Sequence, residues 1–100
     1  MLLALILLFA PLQSEPLSLS IMPKVCQAPC TMRATIRYGD EIEPGREVCL
    51  VMDDGLPTFS CWPHGGQRLL QVTVKNISAG YYTVIISTQG HRAKAWLNVF

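Results

Sequence analysis

The stretch that decides the fold runs from Gln67 to Phe100 and reads QRLLQVTVKNISAGYYTVIISTQGHRAKAWLNVF. Apolar and polar residues alternate along it, and the alternation breaks at Ser78 to Tyr82 (SAGYY) and at a tight turn, Gln89-Gly90. Alternation with a period of two puts successive side chains on opposite faces of a β-strand. The stretch therefore predicts three consecutive strands, which span 67–75, 81–87 and 92–99.

The same alternation continues towards the N-terminus. It predicts three earlier strands, over 32–38, 46–52 and 58–62. Stretches rich in Gly, Pro and Asp separate them, as expected for turns. No window shows helical periodicity. The pattern predicts an all-β sandwich of about six or seven short strands.

The first residues of the chain have a different character. Met1 to Ala10 (MLLALILLFA) is an uninterrupted apolar run, shorter than the roughly 20 residues that span a bilayer. It is typical of a secretory signal peptide, with cleavage expected after Ser14 or Ser20; the alternative is a buried N-terminal strand. We therefore expect a signal peptide and linker over 1–20 and one domain over 21–100. The product would be secreted, or would be a cell-surface ectodomain if a longer form carries an anchor.

Composition excludes several classes of function. Charged residues make up 15% of the chain and the formal net charge is +1, so no basic stripe is present for nucleic acid. The two histidines fall in separate turns, where we expect them to be exposed, and no nucleophile motif accompanies them. Asp53 and Asp54 are interpreted as turn formers. We expect no enzyme activity and no cofactor.

Four cysteines follow the leader: Cys26, Cys30, Cys49 and Cys61. An even number of cysteines in a secreted chain favours disulfides. The first choice of pairing is Cys49 with Cys61 and Cys26 with Cys30, and the crossed pairings remain open. A zinc site built on Cys26 and Cys30 would lack a second matching pair of ligands, so we expect no metal.

Several residues resemble the immunoglobulin superfamily. Gly45 to Met52 is similar to its B strand, and Trp62 to the tryptophan of its C strand. Ser78 to Val84 (SAGYYTV) is similar to the F-strand motif, and Ala93 to Val99 to the G strand. The resemblance implies an immunoglobulin-like antiparallel β-sandwich in which the hydroxyl of Tyr82 bonds back to the backbone of the corner before it.

The sequence departs from that family where the inter-sheet disulfide would be. Met52 and Val84 occupy the two cysteine positions, and the resemblance implies that Trp62 packs on this apolar pair. In the strand before the corner, simple alternation buries Leu70, Val72 and Val74 rather than Gln71. A weaker resemblance, carried by the Ala-Gly-x-Tyr corner that ends at Tyr82, links the chain to the extracellular domains of class III (KIT/fms-like) receptor tyrosine kinases.

Two surface features complete the prediction. Asn76-Ile77-Ser78 is an N-glycosylation sequon in a turn. The side chains expected to point away from the core and form a contact surface are Tyr81, Ile85, Trp96 and Phe100. Exposed aromatic side chains mark such surfaces, although an N-terminal segment, a glycan or a following domain would also cover them.

These features predict an extracellular protein-recognition module. The resemblance implies a receptor-type ectodomain, or a soluble receptor fragment, that binds a cytokine or a cell-surface protein. The alternatives are a stand-alone secreted ligand stapled by its cysteines and a truncated fragment without independent function. Exposed sheet edges would also allow pairing into a homodimer.

Overall fold

The computed structural model describes residues 16–100, which form two β-sheets and no helix. The strands are β1 (Leu17–Met22), β2 (Val25–Cys26), β3 (Cys30–Tyr38), β4 (Glu47–Asp53), β5 (Thr58–Pro63), β6 (Leu69–Ile77), β7 (Gly80–Thr88) and β8 (His91–Val99). One sheet has three strands in the order β1-β3-β6, and the other has five in the order β2-β8-β7-β4-β5. The predicted all-β architecture is confirmed. Over residues 16–100, no helix has the length and apolar character needed to cross a membrane.

The core lies between the two sheets, and alternation selects its members. In β3, Met32, Ala34 and Ile36 have no exposed surface, while the residues between them face outwards or are only partly covered. The five-stranded sheet contributes Val84 and Ile86 of β7, which are also fully buried. Since each side chain on an inner face removes apolar area from water, this alternation supplies most of the driving force for folding.

A two-residue turn connects β7 to β8. Gln89 and Gly90 both have positive φ, 49° and 79°, as the type I′ hairpin turn requires. The side-chain amide oxygen of Gln89 accepts a hydrogen bond from the backbone N–H of Glu43 (2.8 Å). The strands that the turn joins are paired without interruption from Thr88–His91 to Gly80–Val99. The turn therefore sets the register of the whole hairpin.

Strand β6 follows the alternation predicted for it and then deviates from it. Leu70, Val72 and Val74 pack against the core, and Gln71 is exposed. Beyond Val74 the register against β3 shifts, and Asn76 adopts a φ of 59°. Asparagine tolerates this left-handed conformation better than most residues. The irregularity brings Ile77 back into the core and leaves Asn76 on the surface.

All six predicted strands are present, and two further strands precede them. Strand β1 pairs antiparallel with β3, with Leu17 opposite Tyr38 and Ile21 opposite Ala34. Leu17 and Ile21 are 2% and 3% exposed. The domain boundary expected at residue 21 therefore falls inside a core strand, and residues 17–20 belong to the sandwich rather than to a linker. The proposed leader and the Ser14 cleavage position lie outside the described residues.

The assignment of residues 45–52 to a B strand is wrong. A B strand pairs with the first strand of the domain, whereas β4 pairs with β5 and β7 in the other sheet; β3 holds the place between β1 and β6. Met52 lies opposite Val84 in neighbouring strands of one sheet. The pair therefore cannot stand in for a disulfide that bridges two sheets.

Trp62 is also placed differently from the prediction. It lies on β5 opposite Val48, while the β5 residue opposite Met52 is Thr58. A separation of four residues corresponds to about 13 Å along a strand. Trp62 therefore packs at the other end of β4 from Met52 and Val84.

The corner before β7 is closed by Tyr82. Its side chain is 8% exposed, and its hydroxyl donates a hydrogen bond to the carbonyl of Ser78 (2.8 Å). A Cβ atom at Gly80 would lie 3.3 Å from the Tyr82 ring. The absence of a side chain at Gly80 thus allows the ring to lie close to the corner.

A second buried tyrosine, Tyr38, lies at the end of β3 that is farther from the Ser78 corner. The ring centroids of Tyr38 and His64 are 4.2 Å apart, and His64 is only 5% exposed. The expectation that both histidines are exposed is therefore wrong for His64. Its backbone N–H donates to the carbonyl of Arg46 (2.9 Å) and its carbonyl accepts from the N–H of Gly45 (2.7 Å). The β4–β5 pairing therefore continues past Pro63 and holds the His64 imidazole against the ring of Tyr38.

Three polar atoms at this end of the sandwich are buried without a hydrogen-bond partner among the described residues: Tyr38 Oη, Trp62 Nε1 and His64 Nδ1. Burial raises the pKa of the Tyr38 hydroxyl, and the nearby indole N–H of Trp62 lowers that pKa in part without reaching hydrogen-bond geometry. An unpaired buried hydroxyl costs free energy of folding.

Removing the two buried hydroxyls should have opposite effects on the free energy of unfolding. Tyr82→Phe should lower it by about 1–2 kcal/mol, because the Ser78 carbonyl loses its donor. Tyr38→Phe should leave it unchanged or raise it, because an unpaired polar group is removed. Urea denaturation measures both, with the exposed Tyr81→Phe as control. Equal losses at Tyr38 and Tyr82 would contradict this account.

The raised pKa of Tyr38 also predicts a dependence of stability on pH. Because the folded state holds the phenolic proton more tightly than the unfolded state, this contribution is complete below the unfolded pKa of 10.0. It is lost as the pH rises through the folded value. Between pH 9 and pH 11 the wild-type protein should therefore lose more stability than Tyr38→Phe does. Parallel losses in urea titrations at these pH values would show that Tyr38 titrates normally.

Candidate functional site

The outward face of the five-stranded sheet is the candidate site. In the β7–β8 hairpin, Thr83 lies opposite Trp96, and Ile85 lies opposite Lys94. Because Tyr82, Val84 and Leu97 point into the core, residues of the other parity point to solvent. The hairpin register thus places the predicted contact residues Tyr81, Ile85 and Trp96 on one face.

The aromatic residues on the outward face of this hairpin are largely open to solvent. Tyr81 is 80% exposed and Trp96 is 71% exposed. Tyr81 lies opposite Asn98, which makes it the diagonal neighbour of Trp96 across the two strands. Diagonal pairs are within reach of aromatic side chains. The two rings therefore form one apolar surface.

Phe100, the fourth predicted contact residue, lies just beyond β8. Its side chain is 64% exposed. Its backbone binds the N-terminal segment, because its N–H donates to the carbonyl of Cys26 (3.0 Å) and its carbonyl accepts from Ala28 (2.7 Å). Phe100 thus holds β2 beside β8 through its backbone and presents its ring at the end of the sheet.

The structure adds two exposed apolar residues in strands of the five-stranded sheet that the sequence analysis did not identify. Phe59 on β5 is 65% exposed and Val25 on β2 is 58% exposed. Phe59 lies opposite Val51, which lies opposite Ile85, so an apolar row crosses β5, β4 and β7. Alternation within β5 places Phe59 and Trp62 on opposite faces, and the register against β4 adds that Phe59 stands in one row with Val51 and Ile85. Val25 belongs to a strand too short to produce a periodic signal.

Two cavities share Trp96 as part of their walls. The first, about 300 Å³, is lined chiefly by Lys24, Val25, Tyr81, Thr83, Trp96 and Asn98. The second, about 240 Å³, is lined by Leu19, Ser20, Ile21, Lys24, Lys94 and Trp96, with Ala95. Trp96 and Lys24 contribute to both. We call the two cavities together the Trp96 surface.

Charge is unevenly distributed around this surface. Within residues 16–100, all the Asp and Glu residues lie between Asp40 and Asp54. Lys24 and Lys94, in contrast, line the cavities and form no ion pair with another described residue. Asp40 is paired with Arg68 (2.9 Å). The Trp96 surface therefore combines apolar and aromatic side chains with two ammonium groups.

Both disulfides connect to this sheet. Cys49 and Cys61 lie opposite each other on β4 and β5 and are bonded, and Cys26 is bonded to Cys30. This is the pairing preferred in the sequence analysis. None of the described cysteines is free. The donor atoms of Glu47, Cys49 and Cys61 lie close together, but disulfide sulfurs lack the thiolate charge that binds a metal ion.

The sequon lies at the corner that Tyr82 closes, and its last residue, Ser78, precedes Tyr81 of the Trp96 surface by three residues. The side chain of Asn76 is exposed, Ile77 is buried, and Ser78 is exposed. The positive φ of Asn76 lifts its side chain out of the strand pattern. An attached glycan would therefore meet no core residue.

No family model, curated protein or solved structure matches this chain. The function is therefore inferred from the residues described above.

Ser78→Ala should abolish glycosylation at Asn76 and leave the fold intact. The variant removes the hydroxyl that the sequon requires, but it keeps the backbone carbonyl that accepts the Tyr82 bond. The measurement is the mass of protein secreted from mammalian cells, before and after removal of N-glycans. Asn98, which is followed by Val99 and Phe100, is the internal control and should stay unmodified. A wild-type mass that deglycosylation does not change would refute the assignment.

Proposed function

We propose that this chain is an extracellular protein-recognition module with an immunoglobulin-like sandwich, and that it binds a protein partner through the outward face of its five-stranded sheet. The observation that carries the proposal is the exposure of Trp96 and Tyr81, side by side on paired strands. Burying the exposed part of one tryptophan contributes about 3–4 kcal/mol before the cost of association. Trp and Tyr are the residues that most often dominate binding energy in protein interfaces.

The strand order supports the immunoglobulin-like part of the proposal. The three-stranded sheet β1-β3-β6 corresponds to strands A, B and E of that fold, and β8-β7-β4 to strands G, F and C. The bond from Tyr82 to Ser78 corresponds to its tyrosine corner. With β1 included, β3 takes the B position and β4 the C position. This assignment replaces the one made from sequence, which began one strand too late.

The disulfides support an extracellular location. Two disulfides within residues 26–61 are typical of domains that fold in an oxidising compartment. The apolar run at the N-terminus is consistent with export. The class of partner, a cytokine or a cell-surface protein, follows from the family resemblance. A second copy of the chain is a further partner that the same apolar face would accept.

Trp96→Ala should leave the protein folded and weaken its binding to a partner by about tenfold or more, as expected for a central aromatic contact. The control is Leu56→Ala, because Leu56 is 81% exposed and lies in the turn between β4 and β5. Near-ultraviolet circular dichroism and urea denaturation check the fold. Binding is measured with the soluble domain against cells that display individual cell-surface and secreted proteins.

Two outcomes would contradict the proposal. Loss of secretion or of cooperative unfolding in Trp96→Ala would show that Trp96 is needed for folding. Equal binding losses in Trp96→Ala and Leu56→Ala would show that the contact surface is not the outward face of the sheet. Concentration-dependent dimerisation that Trp96→Ala removes would identify the partner as a second copy.

A further inference from the structure

We propose that the Trp96 surface binds an extended acidic peptide segment of the partner protein, one that carries apolar side chains next to carboxylates. This inference rests on the proposed function and specifies the chemistry of the partner. Three properties of the surface support it: the size of its cavities, the apolar and aromatic side chains that line them and the sign of the charge around them.

The size of the cavities limits what they can hold. Their volumes are about 300 Å³ and 240 Å³, at or below the lower end of the range for sites that hold a whole small-molecule ligand. Each cavity therefore suits one apolar side chain better than a cofactor. In an extended chain, alternate side chains point the same way and lie about 7 Å apart. Because the two cavities share Lys24 and Trp96, a single extended segment can thus present one side chain to each cavity.

The walls of the first cavity are almost entirely apolar, whereas polar and apolar atoms line the second in similar amounts. Val25, Tyr81 and Trp96 form much of the first cavity, and Leu19, Ile21 and Trp96 supply the apolar part of the second. Such walls favour leucine or phenylalanine side chains, which gain free energy from leaving water and from stacking on the rings.

The charge around the cavities favours an anion. Lys24 lines both cavities and Lys94 lines the second, while no Asp or Glu of the described residues lines either. Asp53 is the acidic residue in register with Trp96: it lies opposite Thr83, and Thr83 lies opposite Trp96. Two strand spacings put Asp53 about 10 Å from Trp96. One of its carboxylate oxygens is occupied by the N–H of Gly55 (2.8 Å). A carboxylate next to the bound apolar side chain would therefore meet ammonium groups and little repulsion.

Three synthetic peptides of equal length, with blocked ends, test the proposal: Glu-Phe-Asp-Phe-Glu, Lys-Phe-Lys-Phe-Lys and Glu-Gly-Asp-Gly-Glu. The readout is a nuclear magnetic resonance titration of the secreted ¹⁵N-labelled protein that follows the indole N–H of Trp96, with Trp62 as internal reference. Only the first peptide should shift the Trp96 signal and the β8 amides at saturable concentrations. Its affinity should fall when the salt concentration rises from 50 to 300 mM, because exposed charge pairs are screened.

Variants separate the charge from the apolar surface. Lys24→Gln combined with Lys94→Gln should weaken binding of the acidic aromatic peptide by about tenfold. The matched control is Lys75→Gln, which removes an exposed lysine from β6 in the other sheet and should leave the affinity unchanged. Equal affinity for the acidic and the basic aromatic peptides would overturn the proposal, and so would equal effects of the double variant and Lys75→Gln.

Other outcomes assign the surface to a different occupant. If Glu-Gly-Asp-Gly-Glu bound as tightly as Glu-Phe-Asp-Phe-Glu, the cavities would not be binding the apolar side chains. Shifts of Trp96 with phosphatidylserine–phosphatidylcholine vesicles, but with none of the peptides, would identify an anionic membrane surface instead. If the lysine variants leave binding to a protein partner unchanged while Trp96→Ala abolishes it, the charge inference fails and the proposed recognition function stands. If neither change affects partner binding, both fail.

Discussion

The register of the β7–β8 hairpin is the constraint on which the rest of the structure depends. It is set by the turn at Gln89 and Gly90, whose positive φ angles match the twist of paired strands. A slip of one residue would exchange the two faces. If β8 turned over, Leu97 would be exposed and Trp96 would point into the core, while Val84 of β7 stayed inside. The same two-residue turn thus fixes the inner surface that packs the sandwich and the outer surface proposed to bind a partner.

The disulfides stabilise the parts of the candidate surface that packing holds least. Strand β5 is an edge strand whose residues are mostly exposed, and Cys49–Cys61 ties it to β4. Strand β2 has only two residues, and Cys26–Cys30 ties its end to β3. Loops of this size correspond to about 2–3 kcal/mol of stabilisation each, in the chain-entropy view. The two disulfides thus hold the strands that carry Phe59 and Val25 beside the hairpin. They are needed because the core of so small a domain is too small to hold the edges of the sheet by itself.

The buried tyrosines at the two ends of the sandwich differ in the hydrogen bonding of their hydroxyls. At the Ser78 corner the hydroxyl of Tyr82 has a partner, so burial of the ring carries no penalty for an unpaired polar group. At the other end, Tyr38, Trp62 and His64 each bury a polar atom that has no hydrogen-bond partner within residues 16–100. That end contributes apolar contact from its rings at a cost in lost hydrogen bonding.

Alternation in the sequence was sufficient to predict the six strands from β3 to β8, the inward position of Leu70, Val72 and Val74, and the outward position of Trp96. It was sufficient because the face on which a strand residue lies depends only on its neighbours in the chain. The same alternation is present in Leu17, Leu19 and Ile21, but the expectation of a leader and linker concealed it. What the sequence could not determine is which strands become neighbours, because pairing joins segments far apart in the chain. The tertiary structure alone decided that β4 lies beside β7, that His64 is buried under Tyr38, and that Lys24 reaches the surface of Trp96, which lies more than seventy residues later in the sequence.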